Sequence, residues 1–198
     1  MTARRVFLGL LSCAFLAAGC DRLPGSKPVF NGVDITGSDL GPDFALSDHN
    51  GKARTLADFR GKAVVMFFGY THCPDVCPTT LSDLAKAMQA LGPDAQRVQV
   101  LFVTVDPGRD TPELLRNYIP AFNPDFLGLQ GDEAQTAKVA KDFKIYAARR
   151  PGRTPESYTV DHSAQTLAFD TRGRIRLLFQ YGMPGDKIAA DLKLLLNS

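Results

Sequence analysis

The sequence has no tryptophan, three histidines (His49, His72 and His162) and four cysteines in 198 residues. The missing tryptophan argues against a glutathione-peroxidase site, where that ring normally stands beside the reactive atom. Four cysteines are too few for a disulfide-stapled scaffold, so the fold has to rest on an apolar core, and a chain of this length holds one such core. Hydrophobic runs are short as well. The stretch from Val6 to Ala18 falls below the ~20 apolar residues that a membrane span needs, and the chain turns polar at Asp21 and Arg22. Positive charge is not in excess either. Without residues 1–19, which carry Arg4 and Arg5 and no acid, Lys plus Arg falls from 23 to 21 against 21 Asp plus Glu. A neutral chain lacks the concentrated basic surface that a nucleic-acid partner requires.

What the first residues do have is the pattern of an export signal. MTARRVFLGLLSCAFLAAGC sets two arginines before an apolar stretch that ends in small residues. Its last five residues, LAAGC, resemble the lipobox of bacterial lipoproteins, which would make Cys20 the acylated N-terminus of the mature chain. Ala17 stands where that pattern more often has leucine, and cleavage by an ordinary signal peptidase is the alternative. ARRVFL resembles the twin-arginine export pattern, with Ala3 in place of the usual Ser or Thr. Asp21 resembles the residue that keeps such lipoproteins at the inner membrane of a Gram-negative cell. Residues 21–30 are polar with Pro, Gly and Ser, as a tether would be, and ten extended residues reach at most about 35 Å. The expected organisation is a signal over 1–19, a tether over 20–30 and one domain over 31–198, lipid-anchored at the periplasmic face of the inner membrane. Cys13 leaves with the signal and Cys20 is the lipid site, so Cys73 and Cys77 are the thiol pair left to the domain.

FALSDHNGKARTL (44–56) alternates in polarity around Asn50-Gly51 and predicts a small antiparallel hairpin. AVVMFF (63–68) and VQVLFVTV (98–105) are nearly continuous apolar runs, the pattern of parallel strands covered on both faces. Between them Leu81, Leu84, Ala85, Met88 and Leu91 recur at helical spacing until Gly92-Pro93 ends the run, which makes a right-handed βαβ unit. Thr111-Pro112-Glu113 predicts a capped helix start leading into Leu114, Leu115, Tyr118 and Ile119, and a further helix is expected over about 132–143. SAQTLAFD and RIRLLFQYG flank Thr171-Arg172-Gly173 as a second hairpin, and Ile188, Ala189, Leu192, Leu195 and Leu196 mark a closing amphipathic helix. No internal repeat is present. This order predicts an α/β fold, a thioredoxin-like sandwich with an N-terminal β-hairpin extension.

THCPDVCP (71–78) then occupies the turn after the central strand and opens the next helix, at the carboxyl end of the strand where open α/β sheets place their sites. Unpaired N–H groups at a helix start favour negative charge, so one or both of Cys73 and Cys77 should ionise more readily than free cysteine. The spacing CxxxC is one residue longer than the common redox pair CxxC. Its looser loop can turn both sulfurs toward one outside point, where a third ligand can meet them. In a thioredoxin-like domain the turn that faces the cysteine loop normally carries a cis-proline; here it reads Val160-Asp161-His162-Ser163 and offers an imidazole. Two thiolates and one imidazole form a soft, low-coordinate set suited to Cu(I), and compatible with Cu(II) that borrows an oxygen ligand. Zinc is the rival, with His72 as the fourth ligand it generally wants. A plain structural disulfide is the bland alternative for the two cysteines. Asp161 and Asp106 are candidates to orient the imidazole or to contact a partner. His49 is expected to be solvated in its hairpin turn, and Arg149, Arg150 and Arg153 to lie in an exposed loop able to face an acidic partner.

GYTHCPDVCP, VTVDPGRDTPELL and the run from Tyr158 to Ser163, with the leading VDITGSDLGPDFAL, resemble the Sco/SenC family of exported copper-binding thioredoxin-like proteins, in the same order from residue 31 to the C-terminus. The resemblance implies copper held by Cys73, Cys77 and His162 and a role in building the dinuclear copper site of cytochrome c oxidase. Thr79-Thr80 departs from the acid that family members often carry at the second of these positions, which changes local charge and leaves the ligands untouched. Peroxiredoxins fit worse, since Met66 and Tyr70 stand where their Pro and Thr would precede the reactive cysteine. Two functions follow. The first is a copper chaperone that passes one copper to the copper-site subunit of cytochrome c oxidase, with another copper chaperone as a candidate donor. The second is a thiol:disulfide oxidoreductase acting on the cysteines of the oxidase copper site, with Cys73 or Cys77 as the attacking thiolate. An oxidised pair cannot ligate copper, so a periplasmic thiol reductant is an implied partner.

Overall fold

Residues 63–69 are buried at every position, and this sets the architecture, because a strand with no polar side must be covered on both faces. The structure, a computed structural model, describes residues 28–41, 43–154 and 157–197. The expected export signal, Cys20 and the tether up to residue 27 lie outside the described residues. Along the described chain run β1 (Val33–Asp34), β2 (Leu46–Asp48), β3 (Ala53–Arg54), β4 (Ala63–Gly69), α1 (Val76–Leu91), β5 (Val98–Thr104), α2 (Pro112–Tyr118), β6 (Leu127–Gln130), α3 (Glu133–Asp142), β7 (Ala147–Arg150), β8 (Thr159–His162), β9 (Thr166–Phe169), β10 (Ile175–Phe179) and α4 (Gly185–Leu196).

The main sheet has the order β1-β10-β9-β4-β5-β6-β2-β3. β4 and β5 pair in parallel, as do β5 and β6, while β9 lies antiparallel to β4. On one face Ala63, Val65 and Phe67 pack with Leu81 and Leu84 of α1 and Leu192 and Leu195 of α4. On the other, Val64, Met66 and Phe68 pack with Val139 of α3, Phe143 and the short 3-10 turn Leu56–Phe59. This is the expected thioredoxin-like sandwich. Parallel pairing from Ala63↔Val98 to Gly69↔Thr104 brings the carboxyl ends of β4 and β5 to one edge. The loops that leave those two strands therefore lie side by side: the first carries the cysteines and the second braces it.

The local signals act as read. α1 stops at Gly92, whose φ of 59° is a conformation that favours glycine. Thr111 caps α2 by accepting from the Leu114 N–H at 3.2 Å. The β2–β3 hairpin forms around Asn50-Gly51, with Gly51 at φ 84°. It is less an extension than an edge of the sheet, because Ser47 of β2 also pairs with Gln130 of β6. That pairing corrects the expectation for His49. The ring is buried, and its Nδ1 accepts the Gly128 N–H at 3.0 Å. Burial pushes the His49 pKa down, so the ring stays neutral beside Asp48.

Two further expectations change. Val160, Asp161 and His162 belong to a strand, β8, which pairs with β7 in a separate two-stranded ribbon. Arg149 and Arg150 accordingly sit in β7 and not in a loop, while Arg153 is exposed in the segment between the two strands. Arg149 pairs with Glu133 at 3.2 Å and Arg150 with Asp161 at 2.6 Å, so these two arginines are engaged within the domain.

Candidate metal centre

β4 ends at Gly69 and the chain turns through residues 70–75 into α1. Cys73 lies half-buried in that turn and Cys77, the second residue of α1, is buried; both are free thiols. The helix start joins them. The Cys77 N–H is among the first of the helix, which have no partner one turn back, and it donates to Cys73 Sγ at 3.4 Å. From the other side, β8 brings His162 Nε2 to 3.4 Å from Cys77 Sγ. The ligand atoms of Cys73, Cys77 and His162 all lie within 4.8 Å of one another. Two donors bonded to one ion at zinc-like distances of about 2.0–2.3 Å stand at most ~4.6 Å apart, so this spread is within a few tenths of an ångström of what a shared ion needs.

The imidazole is aimed by its neighbours. His162 Nδ1 lies 2.9 Å from the Ser163 carbonyl, and a carbonyl only accepts, so Nδ1 carries the proton and Nε2 presents its lone pair to the sulfurs. The rings of Tyr70 and Phe67 stand edge-on to the imidazole, with centroids 5.8 and 6.2 Å away. Asp161 takes no part in this: it is exposed and accepts from Arg150 Nε at 2.6 Å. Asp106 is buried and does not touch the imidazole; it accepts from Tyr158 Oη and Arg109 Nε, each at 2.6 Å. His72 is exposed, with Nδ1 3.0 Å from Thr71 Oγ1, and stands outside the three-ligand group, so the zinc reading is without its fourth ligand there.

Two residues that the sequence did not single out shape the site. Asp110 is fully buried and accepts from Thr71 Oγ1 and Thr104 Oγ1, each at 2.6 Å, and from the Thr71 N–H at 3.1 Å. It ties the cysteine loop to the end of β5. The signal was available in GRDTPE, but Thr111 alone accounted for the helix start. Burial pushes the Asp110 carboxyl up, against the opposing pull of its threonine bonds. Gly69 is the second: a Cβ there would lie 2.8 Å from Cys77 Sγ and 2.8 Å from the Phe102 ring.

The two thiols are driven apart in acidity. Hydrogen bonding from Cys77 holds the Cys73 thiol down to about 3 against the opposing effect of burial, with a smaller contribution from His162. The Cys77 thiol is pushed up, first by that same bond to Cys73 and then by burial. At neutral pH the pair is a Cys73 thiolate that accepts a hydrogen bond from the protonated Cys77 thiol. Cys73 is ionised at every pH above its lowered pKa, so its alkylation by iodoacetamide should be nearly flat above about pH 5, whereas a free thiol speeds up through ~8.5. Cys77 should stay unlabelled in the folded protein. Timed quenching and mass mapping would show this; a Cys73 rate that climbs steadily up to pH 8 would contradict it.

A twisted sheet between helices, with two thiols at the start of the first helix and an imidazole from the strand before the last hairpin, defines a thioredoxin-like domain built around a candidate metal centre. Residues 33–197 match the family described as SCO1/SenC, and the chain belongs to that family. It is 44% identical over 123 residues to the mitochondrial SCO2 homolog protein of Bos taurus, over 61% of this chain and 46% of that protein. Among solved structures it is similar to copper-bound ScoI of Bradyrhizobium japonicum, with 43% identity, a TM-score of 0.74 and coverage of 79% of this chain and 99% of that one. It is also similar to apo Sco1 of Thermus thermophilus, with 41% identity, a TM-score of 0.75 and coverage of 86% and 99%. The chain spans about half the length of the first curated relatives it matches.

Proposed function

We propose that this protein is an exported copper chaperone, which holds one copper ion as cargo through Cys73, Cys77 and His162 and passes it to the copper-site subunit of cytochrome c oxidase. The observation that carries this reading is the convergence of two sulfurs and one imidazole nitrogen, from two separate elements, within 4.8 Å. The likeness to a copper-bound ScoI supports it. Thiolate and imidazole donors suit Cu(I), and Cu(II) would take a further oxygen ligand. A cleft of about 370 Å³, lined by Tyr70, Cys73, Pro74, Thr159, Asp161 and His162 among others, opens on Cys73 and His162, two of the three ligands. A partner's own thiols and imidazoles can compete for the ion there. An acylated Cys20 would keep the domain at the periplasmic face of the inner membrane, where a thiol reductant must keep the pair reduced and another copper chaperone can supply the ion. Reduced protein dialysed against Cu(I) should retain one equivalent, and Cys73→Ser or Cys77→Ser far less. Retention well below one equivalent by the unaltered protein would overturn the proposal.

A second reading is favoured by the split between the two thiols. A half-buried thiolate beside a protonated partner is what disulfide exchange uses. Cys73 would attack a disulfide of the oxidase copper site and release one of its thiolates. Cys77 would then give up its proton and resolve the mixed disulfide, which leaves the acceptor with two thiols and this protein with a disulfide for the reductant. His162 would be dispensable. Cys77→Ser should then trap the mixed disulfide, and its absence on non-reducing gels would remove this reading.

A further inference from the structure

The two halves of the proposed copper site come from different bodies. Cys73 stands in the turn after the central strand and Cys77 on the helix that follows, whereas His162 ends a ribbon, β7–β8, that is separate from the main sheet. What holds them in register is a chain of hydrogen bonds that bypasses the ion. Tyr158, the residue before β8, donates its hydroxyl to Asp106 Oδ1 at 2.6 Å. Asp106 is fully buried in the loop after β5, and its other oxygen accepts from Arg109 Nε at 2.6 Å. Arg109 returns to the ribbon: Nη1 donates to the Tyr158 carbonyl at 2.9 Å, and the guanidinium lies 3.6 Å from the centre of the Tyr158 ring. The same loop reaches the cysteine side. The Asp106 carbonyl accepts the Asp110 N–H at 3.0 Å, and the Asp110 carboxylate grips Thr71, two residues before Cys73.

We infer that Tyr158 and Asp106 form a latch that positions His162 against the sulfurs before copper arrives. The inference rests on the copper reading above and names what that reading needs. A ligand carried on a loose ribbon must be ordered at the moment of binding, and apparent affinity falls in proportion to the fraction of molecules that have the ligand in place. Neither residue touches the ion; both are positioning residues. The ribbon has a second attachment, since the Val160 side chain is buried and its backbone N–H donates to the Tyr70 hydroxyl. Breaking the latch therefore loosens the imidazole without freeing it, and the loss belongs at the lower end of the 10–100-fold range that outer partners of a metal ligand typically contribute, about tenfold.

The test is Tyr158→Phe, which keeps the ring over Arg109 and removes only the hydroxyl. Cu(I) affinity, measured by competition with a chromophoric chelator, should fall about tenfold. In the metal-free protein, amide exchange at Val160 and His162 should quicken while that at Val65 and Val100 in the sheet stays unchanged. In a His162→Ala background the same substitution should have no further effect on affinity, because the latch acts only through the imidazole. Asp106→Asn should move both readouts in the same direction. Unchanged affinity and exchange in Tyr158→Phe, or an equal loss of affinity in both backgrounds, would overturn the latch. If His162→Ala alone leaves copper affinity intact, the copper reading fails, and exchange in the metal-free protein still decides whether the latch holds the ribbon.

Discussion

His162→Ala is expected to weaken Cu(I) binding by at least about a hundredfold, beyond the 10–100-fold typical of residues that only support a metal ligand. The substitution removes one of three donors and leaves a two-sulfur site. Its effect should be confined to the metal. The imidazole is half-buried at the end of a ribbon, and its contacts with Tyr70 and Phe67 are ring edges and not tight core packing. Cys73 loses the smaller influence of His162 but keeps the bond from Cys77, the largest influence on its acidity. The flat alkylation profile should therefore survive while copper affinity collapses. Chelator competition and iodoacetamide labelling on the same preparation separate the two, and a variant with wild-type affinity would remove the imidazole from the site.

Gly69→Ala is expected to damage both the fold and the site with one methyl group. The new Cβ would meet Cys77 Sγ and the Phe102 ring, each at 2.8 Å, and both neighbours are fully buried in a packed core. Either side chain can shift only by disturbing the close-packed core around it. Overpacking of this kind costs about 2–3 kcal/mol, which in a domain of this size lowers Tm by roughly 4–12 °C. Because the sulfur itself is one of the atoms displaced, copper affinity should fall along with stability, unlike in Gly61→Ala. Gly61 lies in a turn where a Cβ would meet nothing within 4 Å, although its φ of 90° still strains alanine. Thermal melts and chelator competition on the two variants check this; a Gly69→Ala protein with unaltered melting and affinity would contradict the packing described.

Much of the fold was legible because its main elements announce themselves locally. β4 and β5 are unbroken apolar runs, α1 carries its core face at helical spacing, and Thr111, Gly92 and Asn50-Gly51 mark boundaries by their own chemistry. β1 and β6 were not legible: strands of two and four residues are defined by the neighbours they pair with and not by their own pattern. The β7–β8 ribbon hid for a related reason, since AARR and TVDH are polar on one side and are held partly by cross-strand ion pairs such as Arg150 with Asp161.

The candidate ligands were legible and their supports were not. CxxxC at a helix start and an imidazole in place of proline pointed to three residues that the structure does bring together. Asp161 was a reasonable candidate to orient that imidazole, but successive residues of a strand point to opposite sides, so His162 facing the sulfurs turns Asp161 away toward Arg150. The group that fixes the ring is a backbone carbonyl, at Ser163, which no side-chain pattern can announce. Asp110 and Gly69 act through tertiary contacts that only the pairing of β4 with β5 creates.

The most direct measurement is X-ray absorption at the copper edge of the Cu(I)-loaded protein beside its His162→Ala variant. The wild-type spectrum should show two sulfur neighbours and one imidazole, with the imidazole scattering lost and both sulfurs kept in the variant. A wild-type spectrum with sulfur neighbours alone, unchanged by the substitution, would contradict a copper site shared between the cysteine loop and the ribbon.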